Sequence, residues 1–563
     1  MLKTVVKPNL YQDSVALMVL SRRLSDLDGV SQVSVMMGTP ANKDILRATG
    51  FGSPQVDAAQ PGDLVLGIEA DDEATADRVA ETALQMLSEQ STPTGSTSLP
   101  RVRSLHRALD KLPGANVALV SVPGEHAAAQ TRELLEAGLN VMVFSDNVSV
   151  SDEVELKQLA GERGLLMMGP DCGTSAIAGV PLAFVNTTRR GSIGIVGASG
   201  TGTQEVMSQL DRLGEGTSHA IGVGGRDLTA PVGGVTTLAA LGALDADEAT
   251  DTIVIVSKPP APEVRARVVA AAQQLTKPVV ALFLGERPEA EREGTVWFVA
   301  TMAEAAEKAV ELAGCAGFSP AASQRTVRGL YTGGTLAGET AMVLRDELAL
   351  PADDGNHAHG VQLDADGHRI IDLGDDEYTQ GRPHPMIDPS SRSERIGEVF
   401  DDESVAVLLL DVVLGHGSTD DPAGAVATEV REGIERARAA GREVAVVASL
   451  CGTAQDFQDL AAQRRTLEQA GVTVLPSNAA AARHAAALVL LAGARREHGE
   501  RAAAPVPQRI TDLLAAPQVL NVGLAGFAQT ISEQQAPVVQ WTWQPLAGGD
   551  ARLASLVTQL MNR

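Results

Sequence analysis

Six short runs hold the residue types that bind anions or carry protons. Gly197-Ala-Ser199-Gly200-Thr201-Gly202 sets three glycines among two hydroxyls. Where side chains are absent, backbone N–H groups can close on an anion, and a helix that follows adds its dipole. The run lacks the closing Gly-Lys-Ser/Thr of a P-loop, so it does not imply a nucleoside triphosphate, and alone it reads equally well as a tight turn. Gly222-Val-Gly224-Gly225-Arg226-Asp227 adds a guanidinium that can fork onto carboxylate or phosphate oxygens. The plainer alternative there is an Arg226–Asp227 surface pair. Gly333-Gly334-Thr335, Gly415-His416-Gly417-Ser418, Cys451-Gly452-Thr453 and Ser477-Asn478 repeat the pattern downstream.

Three side chains stand out as candidates for catalysis. His416, between two glycines, suits proton transfer or acceptance of a phosphoryl group, although an ordinary loop histidine fits as well. Arg382 and His384 lie in the polar, proline-braced run Asp375–Pro389, and stiffened loops of that length serve function more often than connection. Preorganised by the prolines, both could hold an anionic substrate. His357 and His359 have metal-like spacing, but the charge around them reads as a solvated hairpin, and no metal site is expected. Cys172, Cys315 and Cys451 are far apart and outside any CxxC spacing, which excludes a disulfide framework and suits a reducing compartment. Cys172 has no neighbouring base in sequence and reads as structural.

The elements that must position these residues are strand–helix units. Residues 1–92 alternate strand and amphipathic helix in a small α+β unit, with a ferredoxin-like fold as one option. Residues 93–108, rich in Ser, Thr, Pro and Gly, read as a linker. Then come a Rossmann-like unit over 109–188 and two flavodoxin-like units over 189–318 and 319–505. Wholly apolar strands followed by helices imply parallel sheets with right-handed crossovers. Glycine loops recur at strand ends in the last two units, which reads as two related halves. Residues 506–563, with Trp541 and Trp543, read as a module that docks on a partner.

Bulk properties narrow the function classes. At 563 residues the chain exceeds one core. Hydrophobic residues make up 44% and aromatics only 3%, the composition of aliphatic parallel strands under Ala-rich helices. A net charge of −26, spread along the chain, opposes binding to nucleic acid or an anionic membrane surface. No signal-like start or membrane-length apolar run is seen, so a cytoplasmic location is expected.

Two long runs carry a resemblance. LLMMGPDCGTSAIAGVPLAF with GSIGIVGASGTGTQEVMSQLDRLGEGTSHAIGVGGRDL resembles the CoA-binding and first ligase domains of the succinyl-CoA synthetase α subunit. GLYTGGTLAGETAMV through VAVLLLDVVLGHG resembles the carboxyl-terminal ligase domain of the β subunit. Their fusion, with YQDSVALMVL in front and NVGLAGF behind, resembles the FdrA branch of that superfamily.

The resemblance implies an α/β multidomain fold: a CoA-binding domain over 109–188, with coenzyme A an optional ligand, and two ligase-type flavodoxin domains. It also implies a role in ureide breakdown. There FdrA and further protein subunits are thought to form oxamate carbamoyltransferase, which converts oxalurate and phosphate to oxamate and carbamoyl phosphate. The synthetases relay a phosphoryl group through a loop histidine. Here PVVALFLGERPEAEREGTVWFVATM has none, and Ser257, Lys258 and Pro259 stand where a supporting glutamate falls. No ATP-grasp domain is recognisable. The reading is therefore a subunit that holds phosphate or carbamoyl phosphate at paired helix N-termini, through Gly197–Gly202 and Gly415–Gly417, with Arg226, Arg382 or His384 on the substrate. The alternatives are an ADP-forming acyl-CoA ligase and a non-catalytic assembly subunit.

Overall fold

The apolar runs resolve into four sheets. The computed structural model describes residues 1–8, 10, 14–60, 63–90, 99–288, 290–352, 358–498 and 503–545. His357 and residues 93–98 of the expected linker lie outside them.

The amino-terminal unit is a three-stranded antiparallel sheet with Leu64–Ala70 in the middle, flanked by Leu2–Lys7 and Val30–Met37. Both its faces are covered, so Leu64–Ala70 is apolar rather than alternating. Leu64, Leu66 and Ile68 pack with helix residues Leu17, Leu20 and Val79. On the other face Val65 meets Leu46, Phe51 and Val56. The two short helices there, Pro40–Ala48 and Pro54–Ala58, start alike. A Thr39 or Ser53 hydroxyl accepts a first-turn N–H, and a proline follows where no N–H is needed.

The next sheet has six parallel strands, five of them in a Rossmann order and the sixth, at the edge, the earliest in the chain. Val117–Val120 is flanked on one side by Asn140–Val143 and Met167–Met168, and on the other by Val519–Val522, Val538–Trp541 and Arg101–Val102. Two expectations are corrected here. Residues 506–545 are not a separate module, because their strands complete this sheet; residues 546–563 of the expected module lie outside the described residues. An apolar strand such as Val117–Val120 needs partners on both edges, and the tail supplies one. Nor is 93–108 wholly linker, since Arg101–Val102 is the outermost strand and Ser104 caps the helix Leu105–Lys111.

The third and fourth sheets share one topology. In the third, Ile193–Gly197 has Thr217–Gly222 on one side and Thr252–Ser257, Val279–Phe283 and Val296–Val299 on the other, all parallel. The hairpin Thr174–Ile177/Val180–Ala183 adds an antiparallel edge, so these residues belong here rather than with the Rossmann sheet. In the fourth, Thr326–Tyr331 has His368–Asp372 on one side and Val405–Val413, Ala445–Cys451 and Val472–Leu475 on the other. Both follow the flavodoxin order 2-1-3-4-5. The expected related halves are present.

The sheets are not beads on a string. One buried cluster joins the Rossmann sheet to the third, with Leu119, Ile255 and Ile531 in common. Another joins the third to the fourth through Val206, Ala305, Ala337 and Ala485. No described helix is long and apolar enough to cross a membrane.

Candidate functional site

In an open α/β sheet ligands lie beyond the carboxyl ends of the strands, at the point where strand order reverses. In the third sheet that point lies between Ile193–Gly197 and Thr252–Ser257. Ser199 ends the first strand's loop and caps the helix Gly200–Arg212, its Oγ accepting the Gly202 N–H at 3.3 Å. The N–H groups of Ser199, Gly200 and Thr201 keep no acceptor among the described residues, and neither do those of Gly224, Gly225 and Arg226. Gly224 has φ +85, and a Cβ there would sit 2.5 Å from the Pro170 carbonyl, so only glycine fits. Thr174, which sequence reasoning missed, brings its hydroxyl to 3.3 Å from where Gly200 would carry a Cβ. The floor beneath is apolar: Val256 is buried and lies 3.1 Å from a Cβ at Gly202. The three free amides of Ser199, Gly200 and Thr201, at the start of the helix Gly200–Arg212, can take an oxyanion.

Beside this edge Arg226 is otherwise engaged than expected. Its Nη2 lies 2.9 Å from Glu153 Oε2 and donates to the Val148 carbonyl at 2.9 Å. Asp227 is fully buried and bonds Lys157 Nζ at 2.6 Å, while the Thr236 and Thr237 N–H groups also donate to it. Lys157 lies 2.9 Å from Glu153, so two cations and two anions cancel inside the seam. The Arg226–Asp227 surface pair is therefore corrected. Arg226 is partly exposed, and its Nη2 holds the Rossmann helix Val150–Glu162 against the glycine loop.

The matching point of the fourth sheet is already filled. Asp411, fully buried on Val405–Val413, accepts from the Thr332 N–H at 2.8 Å, the Thr332 hydroxyl at 3.0 Å and the Gly333 N–H at 2.9 Å. Arg392, 3% exposed, donates to Asp411 Oδ1 at 3.0 Å and to its carbonyl at 2.6 Å. Neither residue was singled out in sequence; a lone Asp in an apolar strand was the available signal. The Gly333 amide is thus spent on an internal carboxylate. Gly334 faces Asp372, whose Oδ2 would be 2.5 Å from a Cβ there, and Thr335 follows in the first turn.

The loops around this edge converge as expected, but several of their residues are committed to structure. The Thr419 N–H donates to the Met386 carbonyl at 2.9 Å, which lays the His384 loop on the His416 loop. A cavity of about 10 Å³ between them, lined by Thr332, Met386, Arg392 and Ser418, has room for one water. Gln458, missed in sequence, accepts the Gly415 N–H at 3.1 Å and donates to the carbonyls of Gly415 and Thr419. Gly417 has φ +86 and lies open. His416 is exposed and stacks on Phe457 at 5.9 Å. Gly452 packs under Leu414, and the Thr453 N–H is held by Asp456 at 2.6 Å. Ser477 accepts from Ala480, while Asn478 ties Leu336 and Glu339 to its own helix. Asn478 is buried and tied into the fold, whereas Gly452, Thr453 and Ser477 stay exposed on this edge. Arg382 is exposed.

Burial shapes the remaining titratable groups. Burial raises the Asp372 carboxyl above its ordinary range, and the Gly374 N–H opposes this. Burial pushes the Cys172 thiol up to about 11, which suits packing rather than attack. His219, the sole histidine of 189–318, is buried, accepts the Ala178 N–H at 3.0 Å and faces Asp247 at 3.2 Å.

Comparison with known proteins agrees with this architecture. Family models described as CoA-ligase, CoA binding domain and AllF heavy metal-associated domain match residues 330–488, 188–285 and 1–101. The CoA binding match falls on the third sheet, one unit later than the 109–188 assigned to that role from sequence. Residues 1–101 contain neither cysteine nor histidine, so they lack the thiolate and imidazole ligands that a heavy metal takes. The described residues hold no acidic, histidine or cysteine cluster suited to a metal ion either.

The uncharacterized protein YahF of Escherichia coli is 41% identical over 507 residues, covering 84% of this chain and 96% of YahF. The ADP-forming succinate–CoA ligase subunit alpha of Staphylococcus epidermidis is 30% identical over 151 residues, 26% of this chain and about half (48%) of that subunit. The apo dinucleotide-forming acetyl-coenzyme A synthetase 1 of Ca. Korarchaeum cryptofilum superposes with a TM-score of 0.48 at 16% identity, over 69% of this chain and 86% of that one.

Proposed function

We propose that this chain, which belongs to the FdrA-like family of succinyl-CoA synthetase-like proteins, is the phosphate-handling subunit of a heteromeric carbamoyltransferase. It would convert oxalurate and hydrogen phosphate to oxamate and carbamoyl phosphate. A phosphate oxygen attacks the carbamoyl carbon, the carbon–nitrogen bond breaks, and the phosphate proton ends on the oxamate nitrogen. Atoms and charge balance without ATP, coenzyme A or a metal ion.

The observation that carries this reading is the third sheet's pairing of free donors with no free histidine. Ser199, Gly200 and Thr201 offer N–H groups at a helix start beside Val256, where phosphate or carbamoyl phosphate would sit, and Gly224 and Gly225 add free N–H groups on the neighbouring loop. The sole histidine of that unit is locked on Ala178 and Asp247 and cannot relay a phosphoryl group. Further subunits would complete the site, and the chain would work in the cytoplasm.

A second reading, an ADP-forming acyl-CoA ligase, is favoured by the CoA binding match over 188–285. One experiment separates them. The tagged chain is isolated from its host with its partners and supplied with oxalurate and phosphate, and in parallel with succinate, coenzyme A and ATP. Carbamoyl phosphate in the first vessel alone supports the proposal; acyl-CoA in the second alone sinks it.

A further inference from the structure

The free amides at the start of the helix Gly200–Arg212 have a neighbour from outside the five parallel strands. Thr174 is the first residue of the hairpin Thr174–Ile177/Val180–Ala183 that edges the third sheet. It is 3% exposed, and its hydroxyl has no partner among the described residues. The side chain is aimed at the helix start: a Cβ on Gly200 would lie 3.3 Å from Thr174 Oγ1 but 4.0 Å from Thr174 Cβ. Beyond the glycine's own stretch of chain, nothing else comes within 4 Å of that point. Gly200 and Thr201 are exposed, so the space between hydroxyl and helix opens to solvent.

The hairpin fixes the hydroxyl there. Ser175 Oγ accepts the Gly222 N–H at 2.9 Å, and the Phe184 N–H donates to the Gly173 carbonyl at 2.9 Å. A Cβ on Gly222 would be 2.2 Å from the Thr174 carbonyl, so glycine at 222 is what lets the hairpin close on the sheet.

An unpaired hydroxyl in a strand need not mean a ligand. Thr217 and Thr252 also have unpartnered hydroxyls in this sheet, but both are sealed inside it, where the preference of strands for branched side chains accounts for them. The Thr174 hydroxyl instead faces open space beside the unpaired amides of Ser199, Gly200 and Thr201. A buried polar group without a partner costs free energy, and a ligand at that spot would remove the cost.

We propose that Thr174 is a binding residue of this site, its hydroxyl donating to one oxygen of a phosphate group whose other oxygens lie on the three amides. This deepens the phosphate reading given above and rests on it.

The test uses the full chain and inorganic phosphate, followed by calorimetry, with unfolding midpoints showing that each variant is folded. Thr174→Val keeps the branched shape a strand favours and removes the hydroxyl. It should weaken phosphate binding roughly 10–100-fold, the worth of a hydrogen bond to a charged group. Thr174→Ser keeps the hydroxyl and should bind within about threefold of wild type. In the assembled complex Thr174→Val should raise KM for phosphate and leave KM for oxalurate unmoved, a split that a side chain serving only the fold would not produce. Phosphate binding by Thr174→Val as tight as wild type overturns the inference, as does a folded Thr174→Ser as weak as the Val variant. A wild-type chain that takes up no phosphate overturns it together with the site. A complex that makes only acyl-CoA would sink the carbamoyl reading, while the comparison of Val and Ser variants still decides this one.

Discussion

The third and fourth sheets have the same strand order, and each places a glycine loop at its switch point. What lies under the loop differs. Beside Gly197–Gly202 the neighbouring strand carries Val256, and the amides of Ser199, Gly200 and Thr201 stay unpaired. Under Thr332–Gly334 the floor is Asp411, which takes two of the amides and is neutralised by Arg392. A valine leaves the cradle to a ligand, whereas an aspartate fills it from within. The lesson is that a glycine loop on a sheet edge reports only that donors are available. A single side chain on the neighbouring strand decides whether they are free.

That contrast can be broken from both sides. The largest effect should come from Asp411→Val, which strands a buried guanidinium and should cost about 3–5 kcal/mol in thermal or denaturant unfolding. Asp411→Val combined with Arg392→Leu should cost much less than the two singles added together. A double variant as unstable as their sum would mean that the pair is not the unit described here. Next, Gly200→Asp would give the open edge a carboxylate of its own. Inorganic phosphate binding to the full chain, followed by calorimetry, should weaken by about 10–100-fold through like-charge repulsion at the helix N-terminus.

The two units should also answer pH with opposite signs. Burial would raise Asp247, which ends the helix Val235–Ala246 at the amino ends of the third sheet's strands, but hydrogen bonds from His219 and Thr250 prevail and hold it down at about 2. Its stabilising contribution is full above its unfolded value and is lost as pH falls through about 2. Asp372, raised by burial, contributes below its unfolded value and loses that contribution as pH rises through its folded one. Amide exchange followed by region should therefore show the third sheet loosening on acidification and the edge at Gly374 loosening as Asp372 ionises. Asp372→Asn should abolish the second response and leave the first. The smallest effect belongs to Ser199→Ala, about 1 kcal/mol of cap energy, with the free amides of Gly200 and Thr201 left in place.

Much of this was legible because the relevant signals are local. Apolar strands followed by helices announced parallel sheets, and glycines at strand ends marked the edge where His384, His416 and the Gly333 loop meet. The misses share one cause, distance along the chain. Lys157 and Glu153 sit in VSDEVELKQL, which reads as a solvated helix until Asp227 and Arg226 arrive from the next unit. Arg392 reads as a surface charge until Asp411 is placed beneath it. Gln458 crosses 43 residues to brace Gly415. The strands Val519–Val522 and Val538–Trp541 read as a tail because nothing local says that Val117–Val120 lacks a neighbour.

That last pairing sets an order of events during synthesis. Gln518 donates its N–H to Asn116, 402 positions earlier. At roughly 5–20 residues per second, the Val117–Val120 edge waits on the order of half a minute or more for its partner. For that interval the nascent chain carries an apolar strand with one open side, the kind of edge that templates aggregation. A ribosome stalled before residue 519 would hold the third and fourth sheets complete and the Rossmann sheet unfinished. Chaperone capture should therefore be greatest late in synthesis and should end when the final strands emerge.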